Sequence, residues 1–342
     1  MALTAEALVD FVIATDPYRK KGKLSQAAQK HRRYPIVMQL TKKGRYSVKT
    51  GGPLQRNIMT KTNNTGRQIG LFSTDILARR QMTAKATVGF RHTESSWTVD
   101  VLEEIMNGGP EQIFNYVDMQ KLAAEIDHYT MIEEQALGAP ASPADDLTVH
   151  GLSYWIPEGT PGSAAFTSDL PAGHAGGAGG VIAPNWKSAY ATYTNMTDSD
   201  GLEALRDVLD LINWESPAEQ NIEQPWESAC VIYCNYATYK DIKKAARGQN
   251  ATIGVDLDFA NGKVTVNGNP VVVVPAMDAM AAGLCWIVNW SAMEPCFLKG
   301  RVMRHSRPEK VFGQHNVVAG WVDTSWNLLP HYRNLHGRIQ KA

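Results

Sequence analysis

The sequence predicts a mixed α+β chain, and three observations carry that prediction. A long stretch of helical periodicity lies near residues 110–138, strand and hairpin signals crowd the second half, and glycine-rich spacers separate the two. At 342 residues the chain is long enough for one large core or two ordinary domains. Hydrophobic residues make up 44% and charged residues 20%, the balance of a folded protein. Thirty-four Lys plus Arg offset thirty-four Asp plus Glu. A dedicated nucleic-acid binder carries a basic excess to neutralise phosphates, so this neutrality argues against nucleic-acid recognition as the main task.

The first residues form an amphipathic start (Leu3, Ala7, Leu8, Phe11) carrying Glu6 and Asp10, unlike a secretory signal. No window has the run of about 18 apolar residues that a membrane span requires. Four cysteines in a chain of this length are not a disulfide framework. The expectation is a soluble protein made in a reducing cytoplasm. Lys20, Lys21, Lys23, Lys30, Arg32 and Arg33 then make a basic arm with little apolar material between them. Residues 36–86 are polar and turn-rich, so few buried positions are expected, and order there would have to come from contacts with other chains.

Ala86–Phe90 and Trp97–Val101 alternate like strands around a polar Arg91–Ser96 connection, which predicts a β-hairpin. In the long helix Pro110 suits the first turn, Glu111 complements the dipole and Gly138 is a natural stop. Ile113, Val117, Leu122, Ile126 and Tyr129 would form its apolar face. Residues 138–184 read as an extended loop interrupted by the apolar knot Gly151–Ile156. A second helix starts near Asp200, with Leu202, Leu205, Val208, Leu209 and Ile212 on its buried side. Residues 229–234 read as a strand, followed by a short basic helix closed by Gly248. Asn267-Gly268 is a strong hairpin-turn signal, and 284–290 is a buried strand. The tail from 311 to 339 reads as one or two strands.

Chemistry is hard to place on this chain. Cys230 and Cys234 share one face of a strand, and Cys285 and Cys296 supply no second metal pair, so inert buried thiols are expected. The nine histidines are scattered. Ala172–Gly180 lacks the Lys and Ser/Thr of a phosphate loop, and no nucleophile elbow occurs. Glu103-Glu104 and Glu133-Glu134 are neighbours that point apart, which reads as ordinary solvated charge, although Glu103 and Glu104 suit a partner's arginines such as Arg79 and Arg80. The nine tryptophans lack basic interleaving and read as core and interface packing. No catalytic, metal or cofactor site is predicted.

Three segments carry a resemblance. They are WTVDVLEEIMNGGPEQIFNYVDMQ (97–120), GLSYWIPEG (151–159) followed by a Gly-rich gap and PNWKSAYATYTNMT (184–197), and the run from Phe297 to the end. Together they resemble the major capsid proteins of tailed double-stranded DNA phages, the Hong Kong 97-like fold shared with encapsulins. The likeness spans about residues 40–342. It implies an N-terminal arm (1–45), an extended hairpin loop over the adjacent subunit (46–98) and a peripheral domain (99–184) with its spine helix at about 110–138. An axial domain (185–310) follows, and C-terminal strands (311–342) return to the peripheral domain.

The implied function is self-assembly, in pentamers and hexamers, into an icosahedral shell around phage DNA. The implied site is the virion capsid, put together in the host cytoplasm, with non-specific DNA contact. A scaffolding or decoration protein and a portal are possible partners of such a shell. Arg79, Arg80, Glu103, Glu104 and loop 247–262 are the expected interface residues. Some relatives cross-link a loop lysine to an asparagine. Lys61 or Lys85 and Asn327 or Asn334 stand in comparable places, but nothing in the sequence singles out a reactive trio. The alternatives are an encapsulin-like nanocompartment shell and an enzyme with an unrecognised site.

Overall fold

The computed structural model describes residues 30–59, 66–71, 82–106, 115–170, 186–212, 230–249 and 264–342. Its architecture is two packed sheets, a two-stranded ribbon and one long helix. The first sheet is organised by β14 (Val317–Pro330). Along one edge β14 pairs with β4 (Arg91–Asp100) over ten residues, from Val317↔Asp100 to Trp326↔Arg91. Its other edge takes β11 (Met293–Leu298), β12 (Arg304–His305) and β13 (Glu309–Lys310), while β1 (Ser47–Lys49) adds to β11 in parallel.

The second sheet has the order β5-β6-β15-β10-β7-β9-β8. These strands are β5 (Ala165–Ser168), β6 (Ser188–Tyr193), β7 (Cys230–Cys234), β8 (Thr265–Val266), β9 (Asn269–Val273), β10 (Cys285–Asn289) and β15 (Gly337–Lys341). Every residue of β7 and β10 is buried because both faces of this sheet are covered, which is why they read as continuous apolar runs. Cys230, Ile232 and Cys234 face the amphipathic helix Glu203–Ile212, whose Leu205, Val208, Leu209 and Ile212 are buried as the periodicity predicts. Val231 and Tyr233 face the other way, into the larger core shared with the first sheet, which also contains Trp155, Trp286, Trp290 and Trp326. The Asn267-Gly268 turn closes β8 onto β9 with both residues at positive φ.

Among the described residues the α-helices, in chain order, are α1 (Pro35–Leu40), α2 (Val101–Met106), α3 (Tyr116–Leu137), α4 (Leu152–Trp155), α5 (Glu203–Ile212) and α6 (Tyr236–Gln249). Helix α3 is the long strut, about 33 Å at ~1.5 Å per residue. Asn115 Oδ1 caps it by accepting from the N–H groups of Val117 (3.0 Å) and Asp118 (3.4 Å). Gly138 ends it, its N–H donating to Glu134 and Gln135. Pro110 and Glu111 lie outside the described residues. Gly151 must be glycine, because a Cβ there would stand 2.5–2.6 Å from the last carbonyls of α3. None of the described helices is long and apolar enough to cross a membrane.

Four sequence expectations need correction. The hairpin expected around Arg91–Ser96 does not form: that segment is the first half of β4. Its polar side chains are satisfied, with Arg91 donating to the carbonyls of Asp145 (2.9 Å) and Thr148 (3.2 Å) and Thr93 to Gln135 (2.7 Å), so the strand runs through. The upstream strand instead forms the ribbon, β2 (Leu54–Met59) with β3 (Thr83–Val88).

The stretch 36–86 is also not coreless. Ile36, Val37, Leu40, Leu54, Ile58 and Ala86 all join the large core. On α3 the buried side is Ala124, His128, Ile132 and Ala136, whereas Val117, Leu122 and Ile126 are half-buried and Tyr129 is exposed. The face against β4 and β14 is won by His128, whose ring nitrogens lie 2.7 Å from Thr324 Oγ1 and 3.3 Å from Ser95 Oγ. Finally, Glu133 is fully buried and Glu103 nearly so; neither is solvated charge.

Candidate functional site

The surface with most to offer a partner is the end of the first sheet where β4 passes into α2. Asp100 Oδ1 accepts from Leu102 N–H at 2.8 Å, and Glu103 Oε2 accepts from Asp100 N–H at 3.2 Å, so these two carboxylates turn the chain from strand to helix. Val101 N–H donates to Asn316 O at 2.8 Å and ties α2 to the turn between β13 and β14. Leu102, Ile105 and, on that turn, Phe312 are exposed. Beside them lies a cleft of about 150 Å³ lined by Trp97, Val99, Val117, Glu104, Lys121, Pro308 and Val318. Lys121 Nζ stands 5.2 Å over the Trp97 ring, placing a positive and a negative group on an otherwise apolar rim.

Of the expected interface residues, Glu104 is exposed at this cleft, whereas Glu103 is used within its own chain. Arg79 and Arg80 lie outside the described residues. Of the expected loop 247–262, residues 247–249 continue α6 and 250–263 lie outside the described residues.

The second candidate surface is the ribbon. Among the described residues its backbone pairs with no other strand, and Met59 near its far end, like Ile69 and Leu71 further along the chain, is exposed. Gly51 and Gly52, at φ 90° and 78°, turn the chain into it. At its root the Arg56 guanidinium is bonded to Glu294 Oε2, which also lies 3.2 Å from His331 Nε2, while Lys49 Nζ is 3.6 Å from Oε1. Hydrogen bonding from His331 and the neighbouring positive charge hold the Glu294 carboxyl down at about 2, against the cost of burial. Sequence reasoning missed this cluster because its members come from β1, β2, β11 and the turn after β14.

Two further expectations can be placed. Asn327 is fully buried and its amide is used up: Oδ1 accepts from His150 N–H (3.0 Å) and Leu328 N–H (2.9 Å), and Nδ2 donates to Gly89 O (2.7 Å). That leaves it no freedom to meet a partner's lysine. Lys85 is exposed on β3, Asn334 is half-buried in the turn before β15, and Lys61 lies outside the described residues. All four thiols are free and buried, and burial pushes Cys230 up to about 12 and Cys296 to about 11. Among the described residues no group of three metal-ligating side chains occurs.

No family model and no curated protein matches the chain. Solved structures do match. The capsid of cyanophage A-1(L) superposes with a TM-score of 0.64 at 14% identity, over 94% of this chain and 96% of that one. The capsid of a native GTA particle gives 0.57 at 12% identity, with both chains covered completely. The SrpI encapsulin of Synechococcus elongatus gives 0.55 at 10% identity, over 99% of this chain and 96% of that one. The fold of this chain is the Hong Kong 97-like capsid fold.

Proposed function

We propose that this chain, folded as a Hong Kong 97-like capsid subunit, is the major capsid protein of a tailed phage, building an icosahedral shell and catalysing nothing. The observation that carries the reading is end-to-end correspondence with a phage capsid subunit, with almost no unmatched length on either side. A ribbon with an exposed apolar end and an exposed apolar edge at α2 support it, because a lone subunit gains nothing from leaving such surfaces bare.

On this reading the ribbon and its loop (54–88) reach a neighbouring subunit, while β1 and β4, at the two ends of the expected 46–98 stretch, stay in the first sheet. The first sheet with α3 belongs to the peripheral domain and the second sheet to the axial domain. Repeated contacts around five-fold and six-fold axes close the shell. Arg79 and Arg80 on the loop would meet the carboxylate rim at Glu104. The overall neutral charge suits a shell that encloses DNA without clamping it at each subunit.

The similarity to an encapsulin favours a second reading, a nanocompartment with the same wall and a protein cargo. Negative-stain electron microscopy of the purified protein, with mass from light scattering, tests both. Closed particles or rings of five and six support a shell protein, and double-stranded DNA inside particles from infected cells selects the phage reading over a protein cargo. A monomer or dimer that stays so under crowding, with and without a co-expressed scaffold, overturns both.

A further inference from the structure

Glu133, in the last third of α3, is a buried carboxylate with no cation paired to it among the described residues. Its oxygens accept instead from two backbone groups at the start of α1, Ile36 N–H at 3.2 Å and Val37 N–H at 2.8 Å. Those are orphan donors of a helix end, which would otherwise need a cap. The rest of the segment from Lys30 to Leu40 lies along α3 in the same way. Tyr34 Oη is 2.9 Å from Thr130 Oγ1, Lys30 and His31 pair with Glu134, and Ile36, Val37 and Leu40 are buried. The segment is a strap, and Glu133 is its central fastening.

We propose that Glu133 is a proton-operated catch: protonated, it keeps the strap of residues 30–40 docked on α3, and ionised, it favours release. Two effects oppose each other at this carboxyl. Burial disfavours the charged form, and the two N–H donors favour it; burial wins and raises the group to about 7. A released strap returns the carboxyl to water, where it ionises near 4.5, so ionisation costs more in the docked state. Docking is therefore fully supported below about 4.5 and loses that support as pH rises through about 7.

The other titratable or charged groups around the catch are Lys30, His31 and Tyr34 on the strap and Tyr129 and Glu134 on α3. Beyond them are Arg45 after α1, Tyr233 on β7 and Asp278 on the turn that packs against α3. The catch is a property of the single subunit. It stands or falls separately from the shell reading, on which it would give the strap two states during assembly.

The test uses thiol accessibility under conditions where the labelling rate reports the open fraction. A cysteine is placed in the strap, Ile36→Cys, and labelled across pH 5–8 with a neutral reagent. Rates are corrected for thiolate fraction, and sites are read by mass spectrometry. The four buried native cysteines report wider opening in the same sample. The expected result is a corrected rate at position 36 that rises on the order of 50- to 100-fold from pH 5 to pH 8, with the native cysteines lagging far behind.

In Glu133→Gln the extra rise at position 36 should vanish. Hydrogen exchange of the residue 36–41 amides in the unmodified chain, corrected for intrinsic rates, should show the same trend and guards against a cysteine variant that fails to fold. A flat corrected rate overturns the proposal. So does a pH dependence that survives Glu133→Gln, which would assign the effect to His31.

Discussion

Arg333 is the residue on which the joint between the sheets depends. Its guanidinium is buried with no carboxylate bonded to it among the described residues. It donates to the carbonyls of Trp155 (2.8 Å), Trp186 (2.7 Å) and Ser168 (3.1 Å), and lies 5.3 Å over the Trp186 ring. Burial lowers it to about 9, so it is still charged at neutral pH. Arg333→Met should cost about 3 kcal/mol or more in urea unfolding, because three buried carbonyls lose their donors. Arg333→Lys should fall between the two, since an ammonium cannot span the same fork.

Acid sensitivity also belongs to single residues. Burial lowers His128 to about 4 and His336 to about 3, so both fold neutral. An unfolded imidazole takes up its proton near 6.5. Stability should therefore be intact above about 6.5 and be lost progressively as pH falls toward 4 and 3. Glu294 adds a loss between about 4.5 and 2. Protonation of Glu133 works the other way between about 7 and 4.5, so the urea midpoint should change little just below pH 7 and drop toward pH 4, and His128→Gln should have a shallower slope.

Among the elements, β4 against β14 is the longest pairing, and it includes a fitted glycine. Gly320 sits opposite Trp97, and a Cβ there would stand 2.5 Å from the indole ring. Gly320→Ala should displace that ring and cost about 1–3 kcal/mol, read as a lower midpoint in thermal unfolding. The ribbon makes a different prediction. Met59 and Thr83 are paired, so residues 60–82 can be replaced by a two-residue Asn-Gly turn. The root residues Leu54, Ile58, Ala86 and Val88 stay in the core, so that variant should keep its circular dichroism and unfolding midpoint. By light scattering it should form no closed particles. Normal particles from it would sink the role given to the ribbon.

For the whole molecule the question is what a subunit with balanced charge uses to find its neighbours. Arg79→Glu with Arg80→Glu should give folded, soluble subunits that fail to close shells. Adding Glu104→Lys should recover part of the yield if the loop arginines meet the α2 rim, and electron micrographs of the three proteins side by side would show it. Shell formation by the double variant at the normal yield would remove that contact from the mechanism. Higher salt should narrow the gap between the double variant and the unmodified chain if exposed charges guide the approach, because screening weakens both the native attraction and the variant's repulsion.

The sequence by itself determined the local elements and the absence of a recognisable catalytic motif. Helix α5 with its buried Leu205, Val208, Leu209 and Ile212, the Asn267-Gly268 hairpin and the all-buried β10 follow from periodicity and turn chemistry within a few neighbouring residues. The strut and its stop at Gly138 were legible, but its start was not, since Asn115 caps it several residues after the expected lead-in at Pro110, and the motif likeness pointed to the capsid fold.

Tertiary structure decided what lies opposite each element. Polar Arg91–Ser96 became strand because β14, more than 200 residues on, supplies its partners. Met293–Leu298 joined the first sheet and Gly337–Lys341 the second, so the chain crosses between them more often than a block reading of 185–310 and 311–342 shows. Of the residues expected at the interface, Glu104 lies exposed at the α2 cleft. Glu133 and Glu103 read as surface charge, and their burial depended on backbone N–H groups, at Ile36 and Val37 for one and Asp100 for the other. A sequence pattern records which side chains are apolar, but burial of a charge is settled by whether folding brings it donors, and the donors of Glu133 are nearly a hundred residues away.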